Sequence, residues 1–259
     1  MKKISKALAV AAVAGAAAAY MPAASAVPVG LELVLLVDVS GSVDATEYGL
    51  QKTGYVNAFN SAAVQNAILG SQLGNIAVTY VEWSGNNQQS QQVGWTLIDS
   101  VASAQAFATA INGTTRAFSG LTAIQDAMMY GGSLAQANNG YEGLRFVLDV
   151  SGDGADNDTT DCNTGANAAC GRDAALAAGV TTVNGLPILG EGGLLAYYTA
   201  NVKSASGFVT PAANFGDFAT AVENKLVKEI IGVPEPISLA LFGVSLAGLG
   251  LARRRRMPV

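Results

Sequence analysis

Apolar runs rich in Val, Ile and Leu alternate with stretches of helical period along most of the chain. Residues 31–37 form a nearly continuous apolar run broken only by Glu32, as for a strand covered on both faces. Asp44 then stands as a helix N-cap with Glu47 placed to reach back as its capping-box partner. Tyr48, Tyr55, Phe59 and Ala63 follow at helical spacing. Residues 76–81 and 93–98 read as two further strands and residues 101–111 as a helix. Another helix begins near Thr122, with Ile124, Ala127, Met128 and Leu134 on one face. The pattern continues with a strand at 144–150, a short helix at 173–178, a strand at 180–188 and a helical segment at 194–202. Phe208 and Val209 form a short last strand, and Phe215, Phe218, Val222, Leu226 and Ile230 give the closing helix its apolar stripe. Strands alternating with helices of this length predict an α/β fold: a doubly wound, mostly parallel central sheet flanked by helices. In such sheets ligands gather beyond the carboxyl ends of the strands, which directs the search for chemistry.

The two ends stand apart from this pattern. Met1-Lys2-Lys3-Ile4-Ser5-Lys6 precedes an Ala-rich apolar run that finishes at Ala24-Ser25-Ala26, the anatomy of a secretory signal peptide rather than of a buried N-terminal helix. At the other end Val233-Pro234-Glu235-Pro236 leads into an apolar stretch at 237–252 and then Arg253 to Arg256. That stretch is shorter than the roughly twenty residues that span a bilayer comfortably, although arginines snorkel to compensate, and the arginine cluster would hold this end in the cytoplasm. Together these residues resemble the PEP-CTERM sorting signal of Gram-negative bacteria. The resemblance implies transient inner-membrane anchoring through the C-terminal segment, then processing by an exosortase-type peptidase. Delivery to the cell surface or extracellular matrix would follow. A plain single-span anchor is the alternative. The chain thus divides into a signal peptide (1–26), a folded domain (27–232) and a sorting tail (233–259).

Charge and composition narrow the function of the middle part. Residues 27–232 carry seven basic residues against eighteen carboxylates, a net charge near −11 that repels phosphate backbones, so nucleic acid is not expected as a partner. The chain contains no histidine, which excludes Ser-His-Asp and Cys-His catalysis and any His-ligated zinc or iron site. Cys162 and Cys170 are the only cysteines; in an exported chain they most simply form one disulfide.

The first strand leads into Asp38-Val39-Ser40-Gly41-Ser42. Alternation in an extended segment points Asp38, Ser40 and Ser42 to one side, and Gly41 allows the tight turn that brings the hydroxyls together. Such hard oxygen donors suit Mg²⁺, Mn²⁺ or Ca²⁺, although Ser and Asp are also ordinary turn residues. Asp-x-Ser-x-Ser after an apolar strand resembles the metal-ion-dependent adhesion site (MIDAS) of von Willebrand factor A-type domains. Two further stretches match that family. Ser119-Gly120-Leu121-Thr122 falls where it has a metal-binding threonine, although Thr122 would also serve as a helix N-cap. Val150-Ser151-Gly152-Asp153-Gly154 falls where it has an aspartate after a central strand; Asp149, inside the strand, is the weaker candidate. The similarity covers residues 30–231 and is nearest to an exported bacterial branch without assigned function. It implies direct metal contacts from Ser40, Ser42 and Thr122, with Asp38 and Asp153 acting directly or through water and Mg²⁺ as the first expectation for the cation.

On this reading the chain is a surface-sorted binding module whose cation engages a carboxylate on a protein or polysaccharide partner. The alternative is a structural matrix or envelope component in which the metal only stabilises loops. A metal-assisted hydrolase lacks an obvious general base beyond the ligands, so no enzyme activity is expected. Asp156, Asp158 and Asp161 read as a solvated acidic loop with a weak calcium site as the alternative, and Trp83 and Trp95 as core or pocket-wall residues.

Overall fold

Leu33, Leu35 and Val37 turn to one face of the first long strand and Val34 and Leu36 to the other, and every one of them is fully buried. The continuous apolar run is therefore an ordinary period-two strand that serves two separate cores. In the computed structural model, which describes residues 26–158 and 168–232, this strand is β2 (Glu32–Asp38). It pairs in parallel with β3 (Ile76–Trp83) on one side and β6 (Phe146–Gly152) on the other. The remaining partners are β4 (Gln89–Ile98), antiparallel to β3, and β7 (Thr182–Pro187), parallel to β6, giving the order β4-β3-β2-β6-β7. A second, two-stranded parallel sheet joins β1 (Val27–Val29) to β5 (Tyr141–Gly143).

One core lies under α1 (Ala45–Asn60), α2 (Ala62–Leu69), α3 (Val101–Asn112) and α7 (Phe218–Ile231). Tyr55, Phe59, Ile68, Phe107, Phe218 and Leu226 fill it. The other lies under α4 (Ile124–Gln136), α5 (Ala168–Ala177) and α6 (Leu194–Tyr197) with the π-helical turn that continues it, Tyr198–Val202. Asp44 and Glu47 form the expected capping box at the start of α1. The doubly wound α/β expectation holds, and the crevice between β2 and β6 is where strand order reverses. That is the position at which such sheets bind ligands.

Several local expectations need correction. The 93–98 strand extends back to Gln89, and the helix expected at 173–178 starts at Ala168. Phe208 and Val209 form no strand: the segment touches the β7 edge only through isolated bridges, Gly185 to Val209 and Ile188 to Ala212. The signal peptide through Ser25, the C-terminal apolar segment, Asp161 and Cys162 lie outside the described residues; Cys170 lies in the first turn of α5. Among the described residues no helix is long and apolar enough to cross a membrane.

A charged cluster sits under α7. Lys225 pairs with Asp149 of β6 and, across 2.6 Å, with Glu229 one turn on, and all three are buried. Asn184 of β7 donates to Glu229 Oε1 at 2.9 Å. Burial, reinforced by the Asp149 charge, pushes the Glu229 carboxyl up to about 8, against the pull of Lys225 and Asn184. Between the ordinary value of 4.5 and about 8 the folded chain holds a proton that the unfolded chain has released. This contribution to stability is complete below pH 4.5 and is lost as pH rises through 8. Urea unfolding should therefore show wild type losing stability relative to Glu229→Gln across that window, by at most about 1.4 kcal/mol per pH unit. Parallel pH profiles for the two proteins would contradict it. Beyond the cluster, Arg145, just before β6, donates to the Ile230 carbonyl at 2.9 Å and holds the end of α7 at the amino edge of the sheet.

Candidate metal centre

Asp38 is the last residue of β2 and is fully buried, because the strand ends beneath the loops rather than at the surface. Its Oδ1 accepts from the Ser40 backbone N–H at 2.7 Å, while its Oδ2 has no hydrogen-bond partner. Burial, with the Asp153 charge adding to it, pushes the carboxyl up to about 7 despite the Ser40 hydrogen bonds. The Ser40 and Ser42 hydroxyl oxygens are 3.1 Å apart, and Ser42 donates to Asp153 Oδ1 at 2.7 Å. Asp153 is the first residue after β6. Residues from both sides of the crevice are thus joined in one run of oxygens.

Thr122 faces the same space from a third segment. It lines, with Ser42, Asp153, Gly154, Asp156 and Glu191, an open cleft of about 620 Å³. Its segment is fixed at both sides: Gly120 N–H donates to Ser84 Oγ at 2.7 Å, and Thr122 N–H to Asn157 Oδ1 at 2.9 Å. Thr122 does not cap α4, which begins at Ile124. That role falls to Asp156, whose Oδ2 accepts from the Gln125 N–H at 2.8 Å. Asp156 is buried, which corrects the reading of a solvated acidic loop, and Asp158 accepts from the Asn86 N–H at 2.8 Å. Asp149 is committed to Lys225. Trp83 is core, and Trp95 packs edge-on against Phe146.

Two glycines matter here for space. A Cβ at Gly41 would lie 3.3 Å from the carbonyl oxygens of Ser119 and Gly120, and Gly41 N–H donates to Gly120 at 2.7 Å. Gly41 thus allows close approach of the threonine segment, and it lies in the expected tight turn, closed by Val43 N–H donating to the Ser40 carbonyl at 3.1 Å, without a left-handed φ. A Cβ at Gly152 would stand 2.7 Å from both Asp38 Oδ2 and Tyr198 Oη, so only glycine leaves the buried carboxylate its place.

Sequence reasoning missed Arg116. Its Nη2 donates to the Val39 and Ser40 carbonyls at 2.9 and 2.7 Å and its Nε to the Phe118 carbonyl at 2.8 Å, tying the first segment to the third. Glu82 completes the clamp, accepting from Tyr48 Oη at 2.9 Å and from Ala117 N–H at 2.8 Å. Only a spatial view links an arginine to carbonyls far back in the chain.

Among the described residues no three His, Cys, Asp or Glu side chains converge as a metal-holding group. The donor set is instead rich in hydroxyls, with two carboxylates, one of which keeps a buried oxygen unpartnered. That chemistry fits a hard divalent cation and no soft one.

A family model described as "Protein of unknown function (DUF1194)" matches residues 28–234, and the PEP-CTERM protein-sorting motif matches residues 232–256. No curated protein matches the sequence. Among solved structures, proximal thread matrix protein 1 from the mussel byssus is similar over 81% of this chain and 49% of its own, at 16% identity and a TM-score of 0.57. Another structure of that protein has a zinc-occupied MIDAS motif. The pilus adhesin SpaC from Lactobacillus rhamnosus GG matches over 78% of this chain and 31% of its own, at 18% identity and a TM-score of 0.53. A von Willebrand factor type A protein from Catenulispora acidiphila matches over 78% and 43%, at 14% identity and a TM-score of 0.50. The chain spans half or less of the length of these proteins, and the likeness is one of fold. The architecture is that of von Willebrand factor A-type proteins, and the sorting motif indicates an exported, surface-sorted protein of Gram-negative bacteria and implies exosortase processing.

Proposed function

The chain belongs to the DUF1194 family, and on that premise we propose that it is a surface-sorted, non-enzymatic binding module. It holds a divalent cation, Mg²⁺ first, and engages a carboxylate of a protein or polysaccharide through it. The observation that carries this reading is the hydrogen-bonded run Ser40–Ser42–Asp153 beside the buried, unpartnered Asp38 Oδ2. Ser40, Ser42 and Thr122 would hold the ion through hydroxyls, and Asp38 and Asp153 directly or through water. When bound, the cation supplies a positive centre for an acidic ligand. Arg116 keeps the first and third segments in register, so little ordering is left to the moment of binding.

Thermal unfolding with and without Mg²⁺ or Mn²⁺ tests the metal half of the proposal. Metal at a hundredfold excess over its dissociation constant should add about 2.7 kcal/mol of stability, and Ser42→Ala should remove most of that gain. Chelator-sensitive retention on polyglutamate or uronate resin tests the other half. A metal-dependent gain in stability without such retention would leave the structural-component reading standing instead.

A further inference from the structure

Glu191 is a third carboxylate on the rim of the cleft. It belongs to Gly190-Glu191-Gly192-Gly193 between β7 and α6, where Gly193 takes a left-handed φ of 86° that favours glycine. Its Oε2 accepts from the Ala155 N–H at 3.0 Å, two residues beyond Asp153. Gly154 measures how near it comes to the oxygen run: a Cβ there would lie 3.6 Å from Glu191 Oε2 and 3.7 Å from Thr122 Oγ1. Glu191 therefore reaches over the same residue as one of the hydroxyls assigned to the cation. The Glu191 side chain is exposed, whereas Asp38 is sealed beneath the cleft.

Charge decides what this carboxylate does. Asp38 and Asp153 alone would neutralise a divalent cation and leave it open to one more anion. With Glu191 beside them the filled site carries a net negative charge, which opposes an incoming carboxylate. We propose that Glu191 is an internal acidic occupant of the cation's open position, and that a partner's carboxylate binds by displacing it. The glycines on either side let the Glu191 carboxylate exchange between the Ala155 N–H and the cation. The inference rests on the metal-binding reading above and adds regulation to it: only a partner able to outcompete a tethered carboxylate is held, which favours clustered acidic groups over single ones.

The test uses the full-length chain, Mn²⁺ as the metal probe and acetate as the carboxylate probe. Glu191→Gln keeps an oxygen to accept from Ala155 and removes only the charge. Electron-nuclear double resonance in ¹⁷O-labelled water should count one more water on Mn²⁺ in Glu191→Gln than in wild type, and acetate should bind the variant about tenfold more tightly. Identical water counts and acetate affinities would overturn the inference and leave Glu191 as an anchor for the Ala155 loop. Failure of wild type to bind Mn²⁺ at all would overturn both this inference and the metal-binding reading, so the two failures are distinguishable.

Discussion

Replacing Lys225 with methionine should lower the midpoint of thermal unfolding by roughly 6–20 °C, the equivalent of about 3–5 kcal/mol for a domain of this size. The lysine is fully buried between Asp149 and Glu229, and its side chain contacts both carboxylates. Methionine keeps the length of the side chain but leaves two buried acids facing each other, with Asn184 as a neutral donor to one of them. Lys225 is the charge that pulls the Glu229 carboxyl down, so without it that carboxyl is held protonated to a higher pH and the loss should deepen as pH rises. Replacing all four residues with apolar side chains of similar volume should recover much of the loss, because a buried ion pair contributes little beyond relieving its own desolvation. Circular dichroism melting curves check both variants. A Lys225→Met midpoint within 2 °C of wild type, well below the roughly 6 °C expected, would mean that water reaches the cluster.

Asp153→Ala should weaken Mn²⁺ binding by about 100-fold or more, while the melting temperature of the metal-free protein changes little. Asp153 is half-buried and accepts a single side-chain hydrogen bond, from a serine that is itself exposed, so its loss leaves nothing stranded inside the fold. Asp149, four residues earlier and inside β6, should behave in the opposite way, because its partner is Lys225 rather than the oxygen run. Isothermal titration with Mn²⁺ and melting curves on the two alanine variants measure this division. Comparable Mn²⁺ affinities in Asp153→Ala and wild type would remove Asp153 from the site.

What the sequence made legible depended on whether burial and hydrophobicity agreed. β2, β3 and β6 were readable because both faces of each strand are covered and their residues are mostly apolar. The capping box at Asp44 was readable because it is local. The first half of β4 was not: Gln89, Ser90, Gln91 and Gln92 look like loop. Gln91, for example, satisfies its amide on Thr79 Oγ1 at 2.8 Å, and a partly exposed edge strand needs no apolar run. Lys225 and Glu229 have the spacing of a surface ion pair, and nothing local betrays that Asp149 waits beneath them. In the candidate site, Asp38, Ser40, Ser42, Thr122 and Asp153 were visible as a resemblance. The residues that position or surround them, Arg116, Asp156 and Glu191, act on backbone groups of distant segments, and such contacts leave no pattern along the chain.

The Arg145 clasp on the end of α7 fixes where the sorting motif begins relative to the cleft. Arg145 precedes β6, whereas Asp153 follows it, so the clasp and the oxygen run sit at opposite ends of one seven-residue strand. The sorting motif begins at residue 232, where a Cβ would lie 3.5 Å from Arg145 Nη1. The acidic cleft is therefore carried about 20 Å away from the point where the tail departs, roughly the length of that strand. The cleft therefore opens at the far end of the sheet from the sorting motif, and the whole depth of the sheet lies between the two.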